Sequence, residues 1–149
     1  MITVSHLSKI YRRGVKAIDD ISLEIGTGMF GLVGPNGAGK TTFMRIIAGL
    51  LKPTTGEISV FGHNLRSYAG KQAAKAQLGY LPQDLGLYPN LNAYEFLDYM
   101  AILKGITGGA DRRRQIDTLL EQVRLTDAAK RPLKTYSGGM KRRVGIAQA

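Results

Sequence analysis

Alternating apolar and polar residues at the start of the chain predict β-structure. The segments from Ile2 to Leu7 and from Ile21 to Ile25 alternate in this way, as strands with one buried face do. Gly14 and the pair Asp19-Asp20 are predicted turns between these strands. We therefore expect the chain to begin with antiparallel strands.

Two segments on either side of a glycine-rich stretch predict a buried strand followed by a helix. Met29 to Val33 is a short apolar run that leads directly into glycines, as a buried strand that ends at a loop does. From Lys40 to Leu51 apolar residues recur at helical spacing, so that Phe43, Ile46 and Leu50 share one face. The expected order is strand, loop and helix.

Further strands and helices follow. Glu57 to Phe61 and Leu78 to Leu81 predict strands, and the alanine-rich stretch from Tyr68 to Gln77 predicts a short helix. The second half is predicted to be helical, with a capping box at its start and a serine N-cap before its last helix. These helices run from Ala93 to about Lys104 behind Asn92 and Glu95, from Asp111 through Val123, and from Gly138 onward behind Ser137.

The net charge of +10 raises the question of a nucleic-acid partner. The positive residues are spread along the chain, and the clusters Arg112 to Arg114 and Lys141 to Arg143 fall in predicted helices, where a solvated face accounts for them. A polyanion such as ATP needs only a local positive site. The absence of cysteine excludes disulfides and thiolate metal sites. No apolar run approaches a membrane span and the N-terminus has no secretory pattern, so a cytoplasmic location is expected.

A phosphate-binding loop is the strongest chemical signal in the sequence. The pattern G-x-x-x-x-G-K-[ST], between a predicted strand and a predicted helix, is that of the P-loop. Its glycines let backbone N–H groups turn inward around phosphate, the lysine reaches the β- and γ-phosphates, and the hydroxyl groups reach Mg²⁺ and phosphate oxygens. The residues are Gly34, Pro35, Asn36, Gly37, Ala38, Gly39, Lys40, Thr41 and, directly after them, Thr42.

Together with the P-loop, a second motif gives the chain its resemblance to a known family. Tyr136-Ser137-Gly138-Gly139-Met140 opens the last predicted helix. In combination the two motifs resemble the ATPases of ATP-binding-cassette (ABC) transporters, whose signature is usually Leu-Ser-Gly-Gly-Gln. The sequence departs from that signature at Tyr136 and Met140. The resemblance covers essentially the whole chain and is closest to the ATPases of multidrug and ABC-2-type exporters.

The resemblance implies roles for single residues. Gln83, in Tyr-Leu-Pro-Gln, matches a glutamine that ligates Mg²⁺ and orients the attacking water, a catalytic role. Tyr11 matches an aromatic residue that stacks on adenine, whereas on its own it would be read as a surface or packing residue. Ser137, Gly138 and Gly139 would cover the γ-phosphate of ATP held by the P-loop of another subunit. Thr41 and Gln83 are the expected Mg²⁺ ligands.

The resemblance also implies fold, partners and location. We expect an α/β P-loop cassette: an antiparallel β subdomain with a P-loop strand–helix core over residues 1–84, and a helical subdomain with the signature over 85–149. The expected partners are a second ATPase subunit, arranged head to tail, and a membrane permease. The permease would be contacted around Asp84 to Pro89, at the inner face of the cell membrane, and no nucleic acid is expected.

Several hydrolytic elements of the family are not found in the sequence. These are the apolar strand that ends in aspartate, the glutamate beside it, the D-loop and the switch histidine; His6 and His63 lie elsewhere. The cassette is therefore expected to be incomplete, part of a longer protein of the usual family length, and unstable and inactive by itself. A non-catalytic nucleotide-binding remnant, an ABC ATPase acting on nucleic acid and a different P-loop enzyme are the alternatives.

Overall fold

A four-stranded antiparallel sheet forms the first part of the computed structural model, which describes residues 1–149. Its strands are β1 (Ile2–Ile10), β2 (Lys16–Ile25), β3 (Thr55–Val60) and β4 (His63–Asn64), in the order β2-β1-β3-β4. Each neighbouring pair is antiparallel, so β1 lies in the middle and is bonded on both sides. The predicted N-terminal antiparallel sheet is confirmed.

A kink in the β1–β2 pair lies where the sequence predicted a turn. Asp19 and Asp20 are inside β2 and not between strands, so that prediction was wrong. Asp20 has φ 47° and His6, on β1, has φ 48°, and the register shifts between the pairs of Leu7 and Lys9. A hydrogen bond of 2.9 Å joins His6 Nδ1 and Asp20 Oδ1. The aspartate's tolerance of positive φ therefore produces a bulge within the ladder.

Two helices complete the first compact unit, Met1–Gly79. They are α1 (Lys40–Ile47), which is shorter than predicted, and α2 (Tyr68–Lys75), which Ser67 caps by accepting a hydrogen bond from the N–H of Gly70. A 3₁₀ turn, Arg12–Gly14, joins β1 to β2. The apolar faces of the sheet and helices meet in one core. It contains Val4, Leu7, Ile18, Phe43, Ile46, Ile47, Ile58, Val60, Leu65 and Ala74.

The strand predicted for Met29 to Val33 is not formed. This segment is irregular, and Met29 and Val33 are 100% and 91% exposed. A strand needs a neighbour for its N–H and C=O groups and a cover for its side chains, and no strand of the chain pairs with this run. The strand predicted for Leu78 to Leu81 is also irregular, for the same reason.

The second compact unit, Tyr80–Ala149, is helical. Its helices are α3 (Ala93–Leu103), α4 (Gly109–Gln122) and α5 (Gly138–Gln148), with 3₁₀ turns at Thr126–Ala128 and Leu133–Thr135. The predicted capping box of Asn92 and Glu95 is present on α3. The helices pack around one core. It contains Ala93, Phe96, Leu97, Ile116, Leu120, Leu125, Ala128, Ala129, Leu133, Tyr136, Val144 and Ala147. None of the helices has the length and apolar character to cross a bilayer.

Candidate functional site

The glycine-rich turn at residues 34–39 is fixed by its last glycine. Gly39 is the N-cap of α1 and has φ 83°, a conformation that side chains rarely adopt. A Cβ at this position would lie 2.1 Å from the carbonyl oxygen of Ala17 on β2. The backbone of the turn therefore approaches the sheet as closely as only glycine permits, and α1 starts at a fixed point.

The ammonium group of Lys40 is held inside the turn. Its Nζ donates hydrogen bonds of 2.6 Å to the carbonyl oxygens of Gly34 and Pro35. The first bond of α1 runs from the N–H of Phe43 to the carbonyl of Gly39, so the preceding N–H groups have no partner within the helix. The first turn of α1 contains no acidic residue. A cation and free backbone donors thus converge where an anion can bind.

Tyr11 lies beside this turn. Its hydroxyl group is 3.3 Å from Oγ1 of Thr42, within hydrogen-bonding distance. The side chain is 40% exposed, and the Nζ atom of Lys9 is 5.5 Å from the centre of its ring. The structure therefore places the predicted adenine-stacking residue next to a predicted phosphate contact. The contact of Lys9 with the Tyr11 ring was not evident from the sequence, because it forms only in the folded chain.

The donor set for Mg²⁺ consists of neutral oxygens. Thr41, in the first turn of α1, is exposed and offers a hydroxyl group. The structure contains no group of three or more histidine, cysteine or acidic residues able to hold a metal. Mg²⁺ binds with few protein ligands when phosphate oxygens and water supply the others. Thr41 fits a Mg²⁺ ion that arrives with a nucleotide, and the contribution of Gln83 remains a prediction.

The predicted signature begins α5. Ser137 is the N-cap, and its Oγ accepts a hydrogen bond of 3.3 Å from the N–H of Met140, as the sequence predicted. Gly138 and Gly139 form the exposed first turn. A Cβ at either glycine would meet nothing within 4 Å. Packing within the chain therefore does not require glycine here, whereas close approach by another molecule would.

Tyr136, where the family usually has leucine, is accommodated by the core of the helical unit. The side chain is 4% exposed, and its hydroxyl donates a hydrogen bond of 2.6 Å to the carbonyl oxygen of Ala128. Burial raises the pKa of this tyrosine, and the positive charge of Arg131 partly opposes the shift. The larger residue keeps the leucine's packing role and adds a hydrogen bond.

Gln83 is exposed and lies in an irregular segment whose leucines pack against α5. A Cβ on the buried Gly145 would come 2.6 Å from Leu85 and 2.8 Å from Leu81, so these two leucines pack directly on α5. The segment also lines a cavity of about 460 Å³ together with Lys134, Gly138, Lys141 and Arg142 among others. Gly145 was missed at the sequence level because nothing local marks a packing glycine within a helix.

An exposed aromatic surface adjoins this segment. Tyr88 and Tyr99 are 50% and 42% exposed, and their rings meet edge to face with centres 5.7 Å apart. Ile102 and Leu103, on the following turn of α3, are also exposed. These four exposed residues (Tyr88, Tyr99, Ile102 and Leu103) are called the aromatic surface below, and exposed apolar side chains close together are of the kind that proteins use for contacts.

Comparison with known proteins gives one consistent result. A family model described as ABC transporter matches residues 18–149. The linearmycin resistance ATP-binding protein of Bacillus subtilis is 41% identical over 153 residues, which cover 100% of this chain and 47% of that protein. The bacitracin transport ATP-binding protein of Bacillus licheniformis is 37% identical over 150 residues, 100% of this chain and 47% of that protein. The chain thus spans about half the length of these relatives.

The fold is also that of solved cassettes. An ATP-binding cassette solved as a dimer in a post-hydrolysis state, bound to ADP and phosphate, superimposes with a TM-score of 0.86. It is 29% identical, and the match covers 99% of this chain and 68% of that chain. The predicted α/β cassette fold is therefore confirmed.

Proposed function

Because the chain belongs to the ABC transporter ATPases, we propose that it serves as the ATP-binding part of a transporter that couples ATP binding and hydrolysis to export across a membrane. The observation that carries this proposal is the Lys40 ammonium enclosed by the 34–39 turn at the N-terminus of α1. A triphosphate binds there by replacing the two carbonyl contacts with phosphate oxygens, while the free N–H groups of α1 donate to it.

The proposed nucleotide arrangement uses residues on both sides of the turn. The adenine stacks on Tyr11, which is positioned by Thr42. The Thr41 hydroxyl would ligate the Mg²⁺ that accompanies the phosphates, and the role of Gln83 as a further ligand is supported by its match to the family's glutamine alone. Bound Mg²⁺ supplies charge neutralisation for the phosphate oxygens.

Two such cassettes are proposed to pair head to tail around ATP. Ser137, Gly138 and Gly139 of one subunit would cover the γ-phosphate held by the other, with the N-terminus of α5 directed at it. The open space around the two glycines supports this role, because close approach by a ligand explains them and internal packing does not. The dimeric cassette structure is a precedent among similar proteins.

The membrane partner is proposed to be a permease subunit at the inner face of the cell membrane. The exporter assignment is supported by the relatives described as a linearmycin resistance protein and a bacitracin transport protein. The permease would contact the segment from Asp84 to Pro89 together with the adjoining aromatic surface, whose exposed Tyr88 and Tyr99 otherwise have no cover. Closure of the dimer would move this surface and so transmit ATP binding to the membrane.

Hydrolysis is proposed to need groups that these 149 residues do not hold. No carboxylate of the sequence follows an apolar strand, which is where the family places the group that binds Mg²⁺ and the glutamate that polarises water. The chain alone is therefore proposed to bind nucleotide without turning it over.

The nucleotide assignment is tested by calorimetric titration of the protein and of Lys40→Ala with ATP and Mg²⁺. The variant loses the enclosed charge, and we expect its ATP affinity to fall by about tenfold or more, since hydrogen bonds to charged groups contribute about 1.5–3 kcal/mol. Lys52→Ala is the control, because it removes an equal charge from an exposed position outside the turn. Equal ATP affinities for Lys40→Ala and the unmodified protein would refute the P-loop assignment.

Two further measurements test the alternatives. Tighter binding of GTP than of ATP would favour a different P-loop enzyme. Tight, salt-sensitive binding of RNA would favour a nucleic-acid function.

A further inference from the structure

The side chain of Tyr11 is held at two points by residues that differ in chemistry. At one end its hydroxyl group is 3.3 Å from Oγ1 of Thr42. On the ring, the Nζ atom of Lys9 is 5.5 Å from the centroid, a distance at which an ammonium group is attracted to the π electrons. The tyrosine ring therefore has a defined orientation before any ligand binds.

Lys9 itself is fixed by the sheet. It is the penultimate residue of β1, pairs with Ile18 of β2, and is half-buried. Its Nζ atom donates a hydrogen bond of 2.8 Å to the backbone carbonyl of Lys52. The ammonium group is thus committed to a carbonyl and to the aromatic ring, which makes it part of the support of Tyr11.

We infer that Lys9 is a positioning residue for the nucleobase. Its ammonium group lies over one face of the Tyr11 ring and orients the ring so that the other face can stack on adenine. The inference rests on the proposed nucleotide-binding function and assigns Lys9 a part in it. A cation against one face draws electron density from the ring, which makes the opposite face a better partner for an electron-rich purine. A ring that is already oriented also loses less conformational freedom on binding.

The role can be separated from general electrostatic attraction with a ligand that has no base. We would measure the affinities of ATP and of inorganic tripolyphosphate, each with Mg²⁺, for the protein and for Lys9→Met. Lys9→Met is expected to weaken ATP binding by about two- to fivefold, the range for a cation–π contact at an exposed site. Its affinity for tripolyphosphate is expected to stay unchanged, because that ligand makes no contact with Tyr11.

Two controls isolate the contact. Lys9→Arg retains a cation over the ring and is expected to bind ATP more tightly than Lys9→Met does. Lys52→Met removes an exposed charge from the same neighbourhood and leaves the carbonyl that anchors Lys9 in place. In a Tyr11→Leu background the Lys9→Met change is expected to have no further effect on ATP, as a double-mutant cycle requires for residues that act through each other. Circular dichroism confirms that each variant is folded.

The outcomes are distinct. Unchanged ATP affinity in Lys9→Met, equal weakening of ATP and tripolyphosphate, or an undiminished effect of Lys9→Met in the Tyr11→Leu background would each overturn the role of Lys9 while leaving the nucleotide site intact. If the unmodified protein bound neither ligand, the proposed function itself would fail, and the role of Lys9 with it.

Discussion

A single methyl group at position 39 would clash with the backbone of the sheet. Gly39 joins the turn to α1 with positive φ and lies against Ala17. The P-loop pattern requires glycine at this position, and the close approach to Ala17 requires it as well. Phosphate binding and packing therefore select the same residue. The phosphate site thus lies directly against the sheet at Gly39.

Gly39→Ala is expected to lower the free energy of unfolding by more than Gly37→Ala. Both residues have similar φ angles, 83° and 87°, so both substitutions carry the backbone penalty of about 1–2 kcal/mol. Only at position 39 does the added Cβ clash, 2.1 Å from a carbonyl oxygen, whereas at position 37 it meets nothing within 4 Å. Urea denaturation of the two variants measures the difference. Equal losses would show that the contact with Ala17 is not as close as the structure has it.

Tyr136 allows a second prediction at the same scale. Tyr136→Phe removes the hydrogen bond to Ala128 and is expected to cost about 1 kcal/mol of stability at neutral pH. Because burial raises the pKa of Tyr136 above its usual value of 10.0, the unfolded chain loses this proton first. Stability therefore falls as the pH rises above about 10, and the phenylalanine variant lacks this contribution.

Denaturation of both proteins at neutral and alkaline pH tests the Tyr136 prediction. Tyr68→Phe is the control for the loss of an exposed hydroxyl group, because Tyr68 is 79% exposed and its hydroxyl accepts only a surface hydrogen bond from Nε2 of Gln72. The same alkaline loss in Tyr136→Phe as in the unmodified protein would assign that loss to another group.

At the scale of elements, local chemistry decides which sequence predictions are confirmed. The starts of α3 and α5 are confirmed because Asn92 and Ser137 cap them with their own side chains, a signal contained in four residues. The strand predicted for Met29 to Val33 is not formed, because a strand depends on a partner that periodicity does not specify. The residues of the candidate site fall into the same two groups, those that a local motif identifies and those that depend on the fold. The P-loop and the signature are continuous motifs, whereas the contact of Lys9 with Tyr11 and that of Gly145 with Leu85 arise only in the folded chain.

The start of α5 provides a test of the signature. Ser137→Arg is expected to leave ATP binding largely intact and to block ATP-dependent dimerisation, because a long cation would occupy the space over the first turn of the helix. The substitution also removes an N-cap, which costs about 1 kcal/mol. Ser67→Arg removes the N-cap of α2 in the same chemical way and lies outside the signature. Light scattering with and without ATP measures dimerisation, under conditions in which the unmodified protein forms the ATP-dependent dimer. Dimerisation of Ser137→Arg equal to that of Ser67→Arg would contradict the proposed role.

At the scale of the whole molecule, two properties act against each other in solution. The net charge of +10 makes chains repel one another. The run from Met29 to Val33 instead exposes an apolar, unpaired segment, with Phe30 and Leu32 59% and 49% exposed beside the more exposed Met29 and Val33. Such segments pair with other chains. Repulsion between chains is screened by salt while apolar association is not, so salt should decide which property prevails.

We therefore expect the 149-residue polypeptide to self-associate increasingly as salt is raised from about 0.05 to about 0.5 M, where the screening length falls to a few ångströms. Met29→Thr combined with Val33→Thr should suppress this association, because threonine keeps β-propensity and removes apolar surface. Met44→Thr combined with Leu50→Thr is the matched control, since these residues are 47% and 57% exposed but lie in α1 and in the turn after it. Size-exclusion chromatography with light scattering gives the mass of each variant. If the control pair suppressed association as strongly, scattered apolar surface would be the cause, and the unpaired run would have no special part in it.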